Sequence, residues 1–137
     1  MRILVIKHGK APYSQDIDNN LENLQELVDG YIQVTYPFND SAALMFNEEG
    51  KLKPDQCPPN RVLLDDYGKV QEVICGTMVI VGISDIDGEI TSLTDEQMEQ
   101  YADMFHYPNE FFLRPDGNIG YREIEPESLE EDIEIGE

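Results

Sequence analysis

Positive charge is what this sequence has least of: 9 Lys and Arg stand against 29 Asp and Glu, for a formal net charge of −20. Such an imbalance excludes the usual electrostatic route to DNA, RNA or an anionic lipid surface, because phosphates are repelled. It favours solubility, a basic protein partner, or divalent cations. Cysteine is scarce as well. Cys57 and Cys75 match no metal-ligand spacing, and Cys75, inside an apolar run, reads as a buried free thiol. The two histidines, His8 and His106, lie far apart, and His106 falls at an expected helix end, where capping is an ordinary role. No segment reaches the length of a membrane-spanning helix, and Met1 leads straight into a strand-like run without the apolar core of a signal peptide. A cytoplasmic protein without membrane association is the expectation. Ser14, Ser41 and Ser84 sit in no nucleophile-elbow context. The reading is therefore non-enzymatic, with no catalytic residue, metal ligand or cofactor assigned.

What is present suits one domain. A chain of 137 residues buries a sufficient core without staples. Ile3-Leu4-Val5-Ile6 is a continuous apolar run, the pattern of a strand buried on both faces. Gly9 and Pro12 end it. A helix follows, with Asn19 as cap, Glu22 three residues on, a stripe of Leu21, Leu24 and Val28, and Gly30 as the stop. Residues 31–36 alternate and read as a strand, which makes the opening a β–α–β unit with parallel strands. Residues 42–47 form a further strand, 51–60 a proline-rich loop, and 61–64 with 69–75 a hairpin about Asp65-Asp66-Tyr67-Gly68.

The longest apolar stretch, residues 73–83, ends in a strong strand over 77–83. Thr94-Asp95-Glu96-Gln97 is a capping box that opens a second helix with a stripe of Met98, Tyr101, Ala102 and Phe105. Residues 111–114 and 119–124 bracket Pro115-Asp116-Gly117-Asn118 as a hairpin, and residues 125–137 are a nearly all-acidic tail, mobile or docked on a partner. The fold class is thus α+β: one domain over 1–124, a mixed β-sheet, two principal helices, a C-terminal hairpin, and the tail.

Charge is segregated along the chain. No Lys or Arg occurs between Ala11 and Gly50, or between Val70 and Leu113, and both predicted helices lie in those gaps. Glu22 and Glu26 mark the polar side of the first. On the second, Asp95, Glu99 and Asp103 recur every four residues on one face, a spacing at which like charges destabilise a helix. A solvated acidic surface is the plain account. The functional account is a negative face shaped for the basic surface of a host protein, with charge guiding encounter and specificity.

Other candidates are weaker. Lys7-His8-Gly9-Lys10 follows the first strand, where α/β folds place anion sites, yet it lacks phosphate-loop glycine spacing. Asp85 and Asp87 before Gly88 have an incomplete likeness to a calcium loop, and Asp65-Asp66 fits turn chemistry. Asn60-Arg61 is the most distinctive pair. Arg61 either anchors an internal carboxylate or projects into a pocket with Asn47 and Thr77.

Several of these residues together resemble a known family. Asn47-Glu48-Glu49-Gly50-Lys51-Leu52, Pro58-Pro59-Asn60-Arg61, Ile74-Cys75-Gly76-Thr77, Ile80-Val81-Gly82 and Ser92-Leu93-Thr94-Asp95-Glu96-Gln97 are similar to the domain-of-unknown-function 3846 family. So is the opening, with Gly9-Lys10, Pro12-Tyr13 and Gly30-Tyr31-Ile32. The likeness covers about residues 1–105 and leaves 106–124 as an extension hairpin. It implies a small protein of bacteria, phages and mobile elements, often among antirestriction and conjugation genes, with no established activity. The leading expectation is a non-enzymatic binding protein, an acidic nucleic-acid mimic that blocks a host DNA- or RNA-binding or defence protein. The alternative is a small-ligand or nucleotide-binding module using Lys7, Lys10, Asn47, Asn60, Arg61 and Thr77. Oligomeric state is left open.

Overall fold

Three strands buried on both faces fix where the core lies: β1 (Arg2–Ile6), β4 (Ala42–Asn47) and β7 (Met78–Ile83). In this computed structural model, which describes residues 1–127, β7 is the middle of the three. The order across the sheet is β2 (Tyr13–Asp16), β1, β7, β4, β3 (Ile32–Thr35), and the short β8 (Ile90–Thr91) also pairs with β7. Leu4 lies opposite Ile80, and Ile80 opposite Leu44, so one row of aliphatic side chains crosses all three central strands.

Side chains alternate between the faces of a strand, and each face has its own cover. Ile3, Val5, Ala43, Met45, Val79 and Val81 meet α1 (Leu21–Val28) through Leu24 and Val28. Leu4, Ile6, Leu44, Phe46, Met78 and Ile80 meet α2 (Asp95–Met104) through Met98 and Tyr101, with Phe105 just beyond it. The β5 (Pro59–Leu64) and β6 (Val70–Cys75) hairpin shares that second face through Leu63 and Ile74. A last hairpin, β9 (Asn109–Leu113) and β10 (Ile119–Glu123), is fastened to β5 where the Asn109 side chain accepts from the Val62 amide at 2.8 Å.

The α+β class stands, with one domain and two helices, but the sheet differs from the expected mixed one. Every pairing between the named strands is antiparallel. The parallel β–α–β opening fails because the chain reverses at Gly9, in the left-handed region with φ 75°, and returns as β2 before α1 begins. Central strands read as unbroken apolar runs because both faces are covered, which is as possible for antiparallel as for parallel pairing.

Smaller corrections follow the same logic. Asn20, not Asn19, caps α1 by accepting from the Asn23 amide at 2.8 Å. Leu21 is 62% exposed and stands off the buried stripe. Cys57 is the fully buried thiol, and Cys75 is half-buried. At the start of the acidic tail the Glu127 amide donates to the Gly9 carbonyl at 2.8 Å, a contact within the domain itself; residues 128–137 of the expected tail lie outside the described residues. Among the described residues no helix is long and apolar enough to cross a membrane.

Candidate functional site

Both helices end without a basic residue in their last turn, so the carbonyls and partial negative charge there need donors from elsewhere. Strand side chains supply them. At the end of α1 the Asn47 amide nitrogen donates to the carbonyls of Val28 at 3.1 Å and Asp29 at 2.8 Å, while its oxygen accepts from the Glu49 amide. At the end of α2, Arg61 donates to the Phe105 carbonyl from Nε at 3.2 Å and from Nη2 at 3.0 Å. The expected helix-end role of His106 passes to Arg61, which brings a full positive charge to the carbonyl end.

Arg61 is 1% exposed and has no carboxylate partner among the described residues, so the expected internal ion pair is not formed. It also donates to the Lys10 carbonyl at 2.6 Å and the Asn60 side-chain oxygen at 2.7 Å. Asn60, fully buried, uses its nitrogen to hold the carbonyls of Ile6 and Gly76, both at 2.8 Å. The pair thereby ties together the end of β1, the turn after it, the turn between β6 and β7, and the end of α2. Burial lowers the Arg61 guanidinium to about 10, which still leaves it charged at neutral pH.

Beside this latch opens a cleft of about 600 Å³ between α2, β5, the last hairpin and the segment joining β3 to β4. Its walls are aromatic. Phe38 packs 4.5 Å from the Tyr101 ring and 6.3 Å from Phe105, and Tyr107 and Tyr121 complete the lining from the far side. Two carboxylates, Asp40 and Glu123, also line it. Asp40 accepts from the Tyr101 hydroxyl at 2.5 Å, from the Gln97 amide at 3.2 Å and from the Ser41 backbone at 2.7 Å. The Tyr101 hydroxyl, above all, holds the Asp40 carboxyl below the usual carboxylate range. Burial, reinforced by Asp40, raises the Tyr101 phenol. The two shifts move away from neutrality, so the pair positions a negative charge and exchanges no proton near pH 7.

The six residues of the expected ligand site do not form one site. Only Arg61 borders the cleft. Asn47 is occupied at α1, Asn60 is buried in the latch, and Thr77 lies between β6 and β7. Lys7 sits 5.9 Å from the Tyr13 ring centroid, and Lys10 Nζ lies 3.8 Å from the Glu127 carboxylate. The acidic residues are all exposed but divide between the two sides of the sheet: Glu22 and Glu26 on α1, and Asp95, Glu99 and Asp103 on α2. Asp95 also pairs with Arg2 at 2.8 Å.

The weaker acidic motifs resolve into turns. Asp65 accepts from the amides of Tyr67 and Lys69, both at 2.9 Å, and Asp87 from that of Glu89 at 3.0 Å. Sequence reading passed over Asp40, Tyr107, Tyr121 and Glu123. Only the run Pro37-Phe38-Asn39-Asp40, an aromatic and an acid straight after a strand, offered a signal for them.

No curated protein and no solved structure matches this chain. A family model described as "Domain of unknown function (DUF3846)" matches residues 1–106, which takes in the Asn60-Arg61 latch and all of α2 but stops short of the last hairpin. The chain therefore belongs to the DUF3846 family, with the β9–β10 hairpin standing beyond the part it shares with that family.

Proposed function

We propose that this protein is a non-enzymatic binding protein that presents the outer face of α2 to a basic protein surface of the kind used to hold DNA or RNA. The observation that carries the reading is the exposed row Asp95, Glu99 and Asp103, countered among the described residues only at Asp95, by Arg2. A helix selected for stability alone would interleave Lys at that spacing. With a net charge of −20 behind it, the row favours fast, salt-sensitive encounter with a positive patch. The phage and mobile-element setting implied by the family resemblance supports a host nucleic-acid-binding or defence protein as the partner class, and an antirestriction role for the mimic.

Because α1 faces the other way, its acids serve as an internal control. A labelled nona-arginine peptide, followed by fluorescence anisotropy, should bind with affinity that falls as salt rises. Replacing Asp95, Glu99 and Asp103 by their amides should weaken it about fivefold or more, and replacing Glu22 and Glu26 by Gln less than about twofold. Equal losses from the two sets would mean diffuse charge attraction and would remove α2 as a docking face.

A further inference from the structure

Resting on that reading, we infer that the cleft beside α2 is the subsite that receives an arginine side chain of the basic partner. The walls carry the two features a guanidinium recognises. Phe38, Tyr107 and Tyr121 offer aromatic rings, on which a planar cation stacks, while Tyr101, fully buried behind Phe38, backs the wall. Asp40 and Glu123 offer carboxylates, and the three hydrogen bonds to Asp40 fix the position of its charge.

An anion is the wrong occupant, although Arg61 borders the same space. Four of its five N–H donors are already engaged by carbonyl oxygens of the protein, and the two carboxylates lining the same space repel a negative ligand. A purely apolar occupant would cover two carboxylates without pairing either of them, and Arg61 makes no ion pair with them among the described residues. The volume, about 600 Å³, accommodates an arginine together with part of a neighbouring residue. Leu64, Met104 and Tyr107 are each about half exposed at the cleft, where such a neighbour would pack.

The last hairpin already displays this recognition in miniature on its other face. There Arg122 lies 5.6 Å from the Phe112 ring centroid and pairs with Glu110. Tyr121 and Glu123 repeat the aromatic and acidic elements on the cleft side.

The test titrates the ¹⁵N-labelled full chain with N-acetyl-arginine methylamide and reads amide shifts, with the norleucine and glutamate analogues as neutral and anionic probes. Saturable shifts confined to residues 37–40, 61–64, 100–109 and 121–123 are expected for the arginine probe only. Glu123→Gln and Tyr107→Ala should each weaken its binding about threefold while leaving the remaining spectrum intact. Asp40→Asn should do the same, and Glu123→Gln keeps the test open if that variant fails to fold.

Equal binding of the norleucine probe overturns the inference, as does preferential binding of the glutamate probe. So does the absence of saturation by about 50 mM arginine probe, well above a millimolar dissociation constant. If that happens while nona-arginine still depends on the α2 acids, the docking face survives and the subsite alone is lost. Loss of both dependences removes the two together.

Discussion

Replacing Arg61 by Met is the most direct probe of how this fold is held together. Met preserves much of the volume of the side chain and removes its charge and all its donors. Three acceptors then lose their partner: the carbonyls of Phe105 and Lys10 and the side-chain oxygen of Asn60. The contacts to Phe105 and Asn60 are fully buried, and the one to Lys10 is only partly so, leaving water a path to replace it. A stranded buried acceptor costs about 1–3 kcal/mol, so the two dry ones together cost about 2–6 kcal/mol.

Against this, the variant no longer keeps a guanidinium out of water. Burial lowers that group to about 10 from 12.5, a penalty on the charged form of the order of 3 kcal/mol, and its relief offsets that much of the cost across the whole range. A net loss of about 3 kcal/mol at most is expected. For a chain of this length that corresponds to a fall of at most about 10 °C in Tm. Urea unfolding followed by tyrosine emission is a convenient assay, because the chain has 7 Tyr and no Trp. Arg61→Lys should recover only a minor part, since a single ammonium cannot span carbonyls from three segments. A loss above about 4 kcal/mol for Arg61→Met would refute the reasoning, showing that removal of the buried charge offsets little of what the stranded oxygens cost.

Two further perturbations address the cleft and the sheet. The folded-state pKa of Asp40 lies below its unfolded value, so its share of stability is present above pH ~4 and fades as pH falls through the folded value; Asp40→Asn should flatten that acid limb of a urea-midpoint profile. Tyr101 is shifted the opposite way, so its share is present below pH ~10 and lost as pH rises further; one tyrosine should ionise late in an absorbance titration, and Tyr101→Phe should abolish that laggard. In β7, Gly82→Ala should destabilise by about 1–3 kcal/mol, because a Cβ there would collide with the Ser92 carbonyl oxygen, a backbone atom with little room to yield. A stable Gly82→Ala protein would mean that the β7–β8 approach is looser than described.

Local signals carried the reading a long way, and trans-acting contacts stopped it. The capping box is present as read, with Thr94 accepting from the Gln97 amide at 3.1 Å and Gln97 returning to the Thr94 amide at 3.0 Å. The strand around residues 42–47, the strong strand after Thr77 and both late hairpins also stand. β2 escaped because Tyr13-Ser14-Gln15-Asp16 is a half-exposed edge strand with too little apolar surface to register. Asn47 and Arg61 drew attention for sound reasons, being polar groups amid apolar sequence. Their partners, however, are main-chain oxygens of distant segments, which carry no side-chain signature. The cleft was hidden for a related reason: four separate segments each contribute a fragment of it, and no fragment is a motif.

The central position of β7 has a consequence for the order in which the chain can be assembled. β1 with β2, and β3 with β4, are hairpin neighbours close in sequence, able to pair soon after they leave a ribosome. Each leaves one apolar strand, β1 or β4, with an open edge. Both edges are waiting for the same strand, and it is made much later. Until residues 78–83 arrive, the nascent chain holds two half-sheets with exposed hydrophobic borders, a state open to edge pairing with other chains. Insertion of β7 closes both borders in one event. Translation that stalls before it should yield an aggregating product, and resumption past it a soluble one.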